Sequence, residues 1–305
     1  MFELTFLGTA ASAPSAERGL PALLVAGNGR RILVDCGEGT QRQMLRAGIG
    51  FRRLERVLLT HRHLDHVLGL GGLIATLGLL RAGSELVIHG GRETLAFVER
   101  YLLALWPERL VPLSIGLAAL EPGAVIDEEG FRIACFPVSH RGVESFGFRF
   151  DMPPRRHLRS DRLAALGVPD GPWRAALARG EAVILEDGRR VEAEEVLGPA
   201  RAGASLAVVG DADETRSLVD AVRGADALVI EASFLARDAA MARCRGHLTA
   251  AQAASLAAEA QVGMLYLTHL SGRYSSDEVA AEARSRFPNV QLARDFDRAR
   301  VLPAG

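Results

Sequence analysis

Short apolar runs alternate with helical stretches along most of this chain. Strand-like runs occur at residues 3–7, 23–25, 31–34, 57–59, 131–136, 206–209, 227–230 and 264–267. Helical spacing of apolar residues predicts helices at residues 40–47, 67–80, 92–105, 249–260 and 275–286. Because the chain opens with a strand-turn-strand meander and then mixes strands with helices, we predict an α/β fold in which helices flank two sheets.

Residues 151–200 interrupt this order. The segment opens with a proline- and arginine-rich stretch at residues 151–162 and continues to a predicted hairpin around Asp187. We therefore predict a single domain over residues 1–305 that carries an inserted arm at residues 151–200.

Most of the predicted strands end at a residue that can bind a metal or move a proton. These residues are Asp35, His61, His140, Asp211, Glu231 and His269. In sheet proteins covered by helices, strand ends converge on one edge, where binding sites are built. We therefore expect these side chains to lie close together.

The densest group of such residues is the stretch 60–66, Thr-His-Arg-His-Leu-Asp-His. It holds three of the eight histidines, His61, His63 and His66, with Asp65 between the last two. Imidazole and carboxylate are ligands that zinc and similar divalent metals accept. The alternative is a polar surface loop, but a ligand cluster this dense rarely arises without a metal, so we predict a metal site.

The residues at the predicted strand ends are sufficient for two metal ions. We assign one ion to His61, His63, His140 and Asp211, and a second to Asp65, His66, His269 and the bridging Asp211. Two metals lower the pKa of a shared water to about 7 and hold both the attacking and the leaving oxygen of a displacement. Asp65 could also orient that water or take its proton. The residue types alone leave reaction at phosphorus and at a carbonyl both open.

Composition limits the possible partners and location. The formal net charge of −1 gives no general attraction to nucleic acid or to membranes, so any polyanion must meet a local patch. All 36 basic residues are arginines, whose planar groups suit phosphate. The three cysteines are far apart, which favours a reducing, cytoplasmic location. We predict no signal peptide and no membrane span.

The order of the ligands resembles that of the metallo-β-lactamase superfamily, and longer motifs make the ribonuclease Z family the closer resemblance. Those motifs lie at residues 6–9, 33–43, 66–70, 167–172, 185–188, 231–234, 247–250 and 267–274. The resemblance covers nearly the whole chain. It implies a four-layer αββα fold, two zinc ions per subunit with manganese as an alternative in vitro, and a homodimer.

The same resemblance implies an endoribonuclease that removes the 3′ trailer from precursor tRNA and leaves a 3′-hydroxyl on the tRNA. Asp65 would act in catalysis, and His247 would protonate the departing ribose oxygen. Glu231 would hold the other nitrogen of His247, although a helix-capping role for Glu231 is equally open. Ser271 and Arg273 would contact the scissile phosphate.

In this family the inserted arm would be an exosite that grips the tRNA. Arg155, Arg156 and Arg159 can bind phosphates without reading sequence. A solvated surface loop with scattered charge is the alternative interpretation of the arm.

Six positions depart from the usual family pattern, and two of them are Ile230 and Ser233, where the family usually has histidine and threonine. Leu64 stands where the family usually has glycine, so a positive φ there would strain the backbone. Ala212 replaces a threonine, Gly19 an asparagine and Gly272 a serine. Two alternatives therefore stay open: a hydrolase of the same fold that acts on a small substrate, and a catalytically silent RNA-binding paralogue.

Overall fold

The computed structural model describes residues 1–82, 85–107, 113–128 and 130–303. Backbone contacts divide the chain into two compact units. We call the first, Met1–Met152 with Ala204–Ala304, the body, and the second, Pro153–Gly203, the inserted unit. The inserted unit begins and ends within a few residues of the arm that the composition predicts.

The described residues form 18 strands. They are β1 (Phe2–Gly8), β2 (Ala22–Gly27), β3 (Arg30–Val34), β4 (Leu54–Leu58), β5 (Glu85–Gly90), β6 (Ser114–Ala119), β7 (Gly123–Glu128), β8 (Phe131–Val138), β9 (Ser145–Asp151), β10 (Arg155–Leu158), β11 (Val183–Ile184), β12 (Arg190–Val191), β13 (Leu197–Arg201), β14 (Ser205–Val208), β15 (Ala227–Glu231), β16 (Met264–Thr268), β17 (Val290–Leu292) and β18 (Arg298–Val301).

Within the described residues, the body contains two seven-stranded sheets. Their strand orders are β18-β1-β2-β3-β4-β5-β6 and β17-β16-β15-β14-β9-β8-β7. Strands β1 to β3 form the predicted meander, and Asn28 and Gly29 join β2 to β3 with φ values of 50° and 76°. A two-residue hairpin turn with both φ values positive matches the twist of the strands that it joins.

The helices are α1 (Thr40–Arg46), α2 (Leu64–Val67), α3 (Gly69–Leu80), α4 (Arg92–Leu105), α5 (Ser160–Ala165), α6 (Pro172–Ala178), α7 (Ala193–Val196), α8 (Val219–Val222), α9 (Ala239–Arg245), α10 (Ala250–Glu259) and α11 (Ser276–Arg284). Helices α10 and α11 begin at the predicted capping boxes, where Thr249 and Ser275 accept hydrogen bonds from the backbone N–H groups of Gln252 and Glu278. These boxes satisfy backbone donors that would otherwise lack partners.

The body has four layers. Apolar side chains of α1, α3 and α4 pack on the outer face of the first sheet, whereas α8 to α11 cover the second sheet. The inward faces of the two sheets pack against each other through buried aromatic residues such as Phe2 and Phe148. The predicted αββα arrangement is therefore confirmed.

The helix predicted at residues 67–80 is found as α3, Gly69–Leu80, and a separate short helix, α2, precedes it. Helix α2 already starts at Leu64, directly after the extended residue His63, and α3 follows at Gly69. A Cβ atom at Gly69 would lie 1.9 Å from the carbonyl oxygen of Gly37, so only glycine permits this close approach. Helix α2 carries Asp65 and His66 at the edge of the sheet where the strands end.

The inserted unit has a small apolar core of its own. Strands β10 and β13 pair antiparallel, and the predicted hairpin around Asp187 is formed by β11 and β12. Leu163, Leu177 and Val196 are buried in its apolar cluster. In the part of the chain that the structure describes, no helix has the length and apolar character needed to cross a membrane.

Candidate metal centre

The strand ends of both sheets deliver side chains to one place. Asp35 follows β3, and the residues that follow β4 lead into His61 and His63. Asp211 and His269 follow β14 and β16 of the second sheet. Asp35 and His269 adopt positive φ values of 57° and 52°, a conformation that turns the chain sharply where each strand ends.

Four side chains form a first ligand group, in which each offers one ligand atom and all these atoms lie within 4.8 Å of one another. His63 Nδ1 lies 2.8 Å from His61 Nε2 and 3.2 Å from His140 Nε2. Asp211 Oδ2 lies 3.8 Å from each of the latter two nitrogens. His61, His140 and Asp211 are almost fully buried.

A second ligand group lies on the other side of Asp211. Asp65 Oδ2 is 3.7 Å from His66 Nε2 and 3.4 Å from His269 Nε2. Asp211 Oδ1 is 3.5 Å from His66 Nε2 and 3.3 Å from His269 Nε2. The two oxygens of Asp211 therefore face different groups, which is the arrangement expected of a bridging ligand.

Two buried atoms of the second group have no hydrogen-bond partner among the described residues. They are His66 Nε2 and Asp211 Oδ1, which face each other. A buried polar atom without a partner costs about 1–3 kcal/mol, so such atoms call for an explanation. A divalent cation between them would satisfy both, and the nitrogen and oxygen donors are of the type that zinc accepts. The residues present thus fit a pair of metal ions.

Electrostatics favour neutral histidines in the first group and ionised carboxylates throughout. Burial lowers the pKa of His61 well below its ordinary value and lowers the pKa of His63 to about 4. Burial opposes ionisation of Asp211, but His269 and His66 nevertheless hold its pKa well below the usual range. Deprotonated imidazole and carboxylate are the forms that bind metal.

Hydrogen bonds to neighbouring residues orient the candidate ligands that follow the strands of the first sheet. His66 Nδ1 lies 2.7 Å from Asp35 Oδ2, and the backbone N–H of Thr60 donates to Asp35 Oδ1 at 2.8 Å. The Thr60 hydroxyl is also 3.0 Å from His61 Nδ1. The Ser12 backbone N–H donates to Asp65 Oδ2 at 3.1 Å. Such partners fix the tautomer and direction of metal-binding side chains.

The ligands at the end of the other sheet are oriented in the same way. His140 Nδ1 donates to the carbonyl oxygen of Gly246 at 2.8 Å, and the Ser233 hydroxyl lies 2.9 Å from His269 Nδ1. The supporting roles of Ser12, Thr60, Ser233 and Gly246 were not predicted from the sequence, and Asp35, predicted only as one of the strand-end residues, supports a ligand rather than joining either group. The signal available was position, because Thr60 and Gly246 each directly precede a predicted site residue.

His247 and Glu231 form a pair beside the ligands. His247 Nδ1 is 3.0 Å from Glu231 Oε1, which also accepts the backbone N–H of Ala212 at 2.9 Å. Glu231 Oε2 accepts the Ser233 hydroxyl at 2.6 Å. Burial lowers the pKa of His247, but the hydrogen bond and charge of Glu231 outweigh it and raise that pKa to about 9. Glu231 therefore contacts His247 through Nδ1. The other ring nitrogen, Nε2, is left to carry a proton that could be transferred.

The remaining predicted contacts lie at two places. In the body, Ser271 Oγ accepts the Arg273 backbone N–H at 3.2 Å, and the Arg273 side chain is exposed one turn beyond His269. In the inserted unit, Arg156 donates to Glu194 and to Gly198, and Arg159 donates to Asp161. Arg155 is exposed on β10. A phosphate would have to compete with the carboxylate partners of Arg156 and Arg159, and these contacts stay predictions.

Four of the departures from the family pattern, at Leu64, Ala212, Gly19 and Gly272, fit the backbone, and a Cβ atom at Gly272 would meet no atom within 4 Å. Leu64 begins α2 and is 54% exposed, and it has no positive φ, so the strain considered for it does not arise. Ala212 is fully buried and still donates its N–H to Glu231. A Cβ at Gly19 would lie 2.9 Å from Nε2 of Gln43.

Comparison with known proteins identifies the family. A family model described as Anti-Pycsar protein Apyc1 matches residues 2–164, so this stretch, just over half of the chain, also belongs to that family. A ribonuclease Z of Bradyrhizobium diazoefficiens is 59% identical over 297 residues, which cover 97% of this chain and 99% of that protein. The chain belongs to the ribonuclease Z family.

Solved structures agree with this membership at the level of the fold. The short form of human tRNase Z covers 98% of both chains at a TM-score of 0.69 and 24% identity. The metallo-β-lactamase fold protein YhfI from Bacillus subtilis covers 98% of both chains at a TM-score of 0.69 and 20% identity. The residues matched by the Apyc1 model stop before Asp211, His247 and His269. The ribonuclease Z relatives span all of them.

Proposed function

We propose that this chain is a metal-dependent endoribonuclease that removes the 3′ trailer from precursor tRNA. One observation carries the proposal: the two oxygens of Asp211 face two ligand groups, and His247, hydrogen-bonded to Glu231, lies beside them. The chain is also 59% identical to a ribonuclease Z. Two bound divalent ions would activate a water and neutralise charge on a phosphodiester.

The residues of the chain then divide the remaining work. Asp65 belongs to the second ligand group and accepts the backbone N–H of Ser12, so its carboxylate is held where it can also orient the attacking water. His247 Nε2 donates its proton to the departing ribose 3′-oxygen, and Glu231 holds the imidazole by Nδ1. Ser271 and Arg273, at the rim, bind the non-reacting phosphate oxygens.

We assign zinc to both ligand groups, two ions per subunit, because imidazole nitrogens and carboxylate oxygens, which both groups offer, are donors that this metal accepts. Manganese is the alternative in vitro. Metal analysis of the purified protein tests this assignment, with about two zinc ions per chain expected. Clearly less than one zinc per chain in metal-replete buffer would instead favour a silent RNA-binding protein.

The inserted unit is the proposed tRNA exosite of a cytoplasmic homodimer. Its chain leaves the body after β9 and returns at β14, where Asp151 and Ser205 are paired neighbours. A short linker can therefore replace residues 153–203 without disturbing the sheet. The shortened protein should cleave a small aryl phosphodiester at the parental rate but cleave precursor tRNA poorly. Equal loss on both substrates would mean that the unit supports the fold.

The deciding experiment is incubation of the zinc-loaded protein with a 3′-extended precursor tRNA, followed by mapping of both new ends. A single cut after the discriminator base, with a 3′-hydroxyl on the tRNA and a 5′-phosphate on the trailer, supports the proposal. Cleavage of the aryl phosphodiester without cleavage of the tRNA would replace it with a phosphodiesterase that acts on a small substrate.

A further inference from the structure

The carboxylate of Asp213 lies two residues beyond the bridging ligand and contacts a different part of the centre. It accepts the backbone N–H of Arg141 at 3.0 Å and 2.9 Å through its two oxygens, and the Ser139 hydroxyl at 3.2 Å. The backbone N–H of Asp213 also donates to the carbonyl oxygen of Ser139 at 2.7 Å. Asp213 therefore holds both ends of the three-residue turn 139–141, whose middle residue is the metal ligand His140.

This turn needs support, because Arg141 has a positive φ of 48°. Residues other than glycine, asparagine and aspartate rarely adopt this backbone conformation. The support comes from Asp213 across the turn. Without it, the hydrogen bond from Nδ1 to the carbonyl oxygen of Gly246 would be the remaining anchor of the His140 imidazole outside the ligand group, among the described residues.

Asp213 also contacts that second anchor. A Cβ atom at Gly246 would lie 2.6 Å from Asp213 Oδ1 and 2.3 Å from Cγ of Arg141, so the glycine fits closely against both. Asp213 Oδ1 is 3.7 Å from His140 Nδ1. The residue after Gly246 is His247. One carboxylate thus sits at the junction of the His140 turn and the segment that carries the proposed proton donor.

We infer that Asp213 is a positioning residue that sets the direction of His140 and thereby the affinity of the first ligand group for its metal ion. Asp213 is not a ligand itself, since its oxygens are occupied by the turn. It acts by keeping Nε2 of His140 aimed at His63 and Asp211. Mutation of such a supporting partner typically lowers metal affinity by about 10–100-fold.

The test is a stepwise zinc titration of the whole protein against a chromophoric chelator, which yields one dissociation constant for each ion. A His63→Ala reference variant, which lacks a ligand of the first group, identifies which of the two dissociation constants belongs to that group. Asp213→Ala should weaken that constant by about 10–100-fold and leave the other within about threefold. Asp213→Asn keeps an oxygen for the Arg141 N–H and should recover most of the affinity.

Asp220→Ala is the matched control, because Asp220 is 92% exposed and pairs only with Arg223 among the contacts described. It should titrate like the parent. Parental affinity for both ions in Asp213→Ala would overturn the inference. An equal loss of zinc affinity at both groups would also overturn it. So would a loss of affinity in both the alanine and the asparagine variants if it were fully explained by a lower melting temperature of the metal-free protein. The zinc titration does not depend on the substrate, so its failure is distinguishable from failure of the proposed function.

Discussion

Replacement of Asp35 by asparagine should weaken the second metal group while the backbone stays in place. Asp35 is 5% exposed and has a φ of 57°, a conformation that asparagine tolerates well. The change keeps the volume of the side chain. It removes the charge that faces His66 Nδ1 at 2.7 Å and replaces one acceptor oxygen by an NH₂ donor.

The size of the effect follows from these contacts. The amide has one oxygen, which the Thr60 N–H uses, so its NH₂ group faces His66 Nδ1. Two donors cannot pair, and His66 is then driven to the tautomer with its proton on Nε2, the atom that must be free to bind metal. A hydrogen bond to a charged group contributes about 1.5–3 kcal/mol. At 1.4 kcal/mol for each tenfold change, this is about 10–100-fold in zinc affinity.

The assay is the stepwise zinc titration, with Asp226→Asn as control. Asp226 accepts the N–H and hydroxyl of Ser205 before β15, at the opposite end of that strand from Glu231. The control should retain both zinc constants. A change of tautomer at His66 should weaken zinc binding at the second group by at least about tenfold. If Asp35→Asn instead binds both ions with affinities within about twofold of the parent, that explanation is refuted.

Three further predictions concern catalysis. His247→Ala should bind precursor tRNA normally in a gel-shift assay but cleave it about 10²–10⁴-fold more slowly, and weakened binding would contradict the proton-donor role. Glu231→Gln removes the group that raises the pKa of His247 to about 9. A proton donor works only below its pKa, so the alkaline limb of the pH–rate profile should move to lower pH, and an unmoved limb would exclude Glu231 from this role. Removal of metal with a chelator should abolish cleavage, and added zinc should restore it, whereas activity that survives chelation would exclude metal-dependent hydrolysis.

Much of the fold was predictable because its signals are local. The capping boxes at Thr249 and Ser275 mark the starts of α10 and α11, and a polar residue after an apolar run marks each strand end that builds the site. The break between α2 and α3 was not visible in the sequence. Residues 67–80 are apolar except for Thr76, so the run itself gives no sign of a break at Leu68.

The clustering of the candidate ligands was predictable from the sequence, whereas the residues that support them were not. Histidines and aspartates clustered at strand ends stand out in type and position. Thr60 and Ser233 are single hydroxyl residues without distinctive spacing, and their roles depend on which ring nitrogen they meet in space. Asp213 and Gly246 come together only because residues 139–141 and 246 are neighbours in the fold. No periodicity in the chain encodes that proximity.

The way in which the inserted unit joins the body has an evolutionary consequence. Asp151 and Ser205 are directly paired, so the unit occupies the place of a hairpin loop between β9 and β14. An ancestral protein could gain, lose or exchange such an insertion without losing a strand pair of the two large sheets or a candidate metal ligand. A change of substrate size would then need one insertion event rather than many point mutations. If the inserted unit is the exosite proposed above, the residues that select the substrate and those that form the metal centre could evolve separately within one chain.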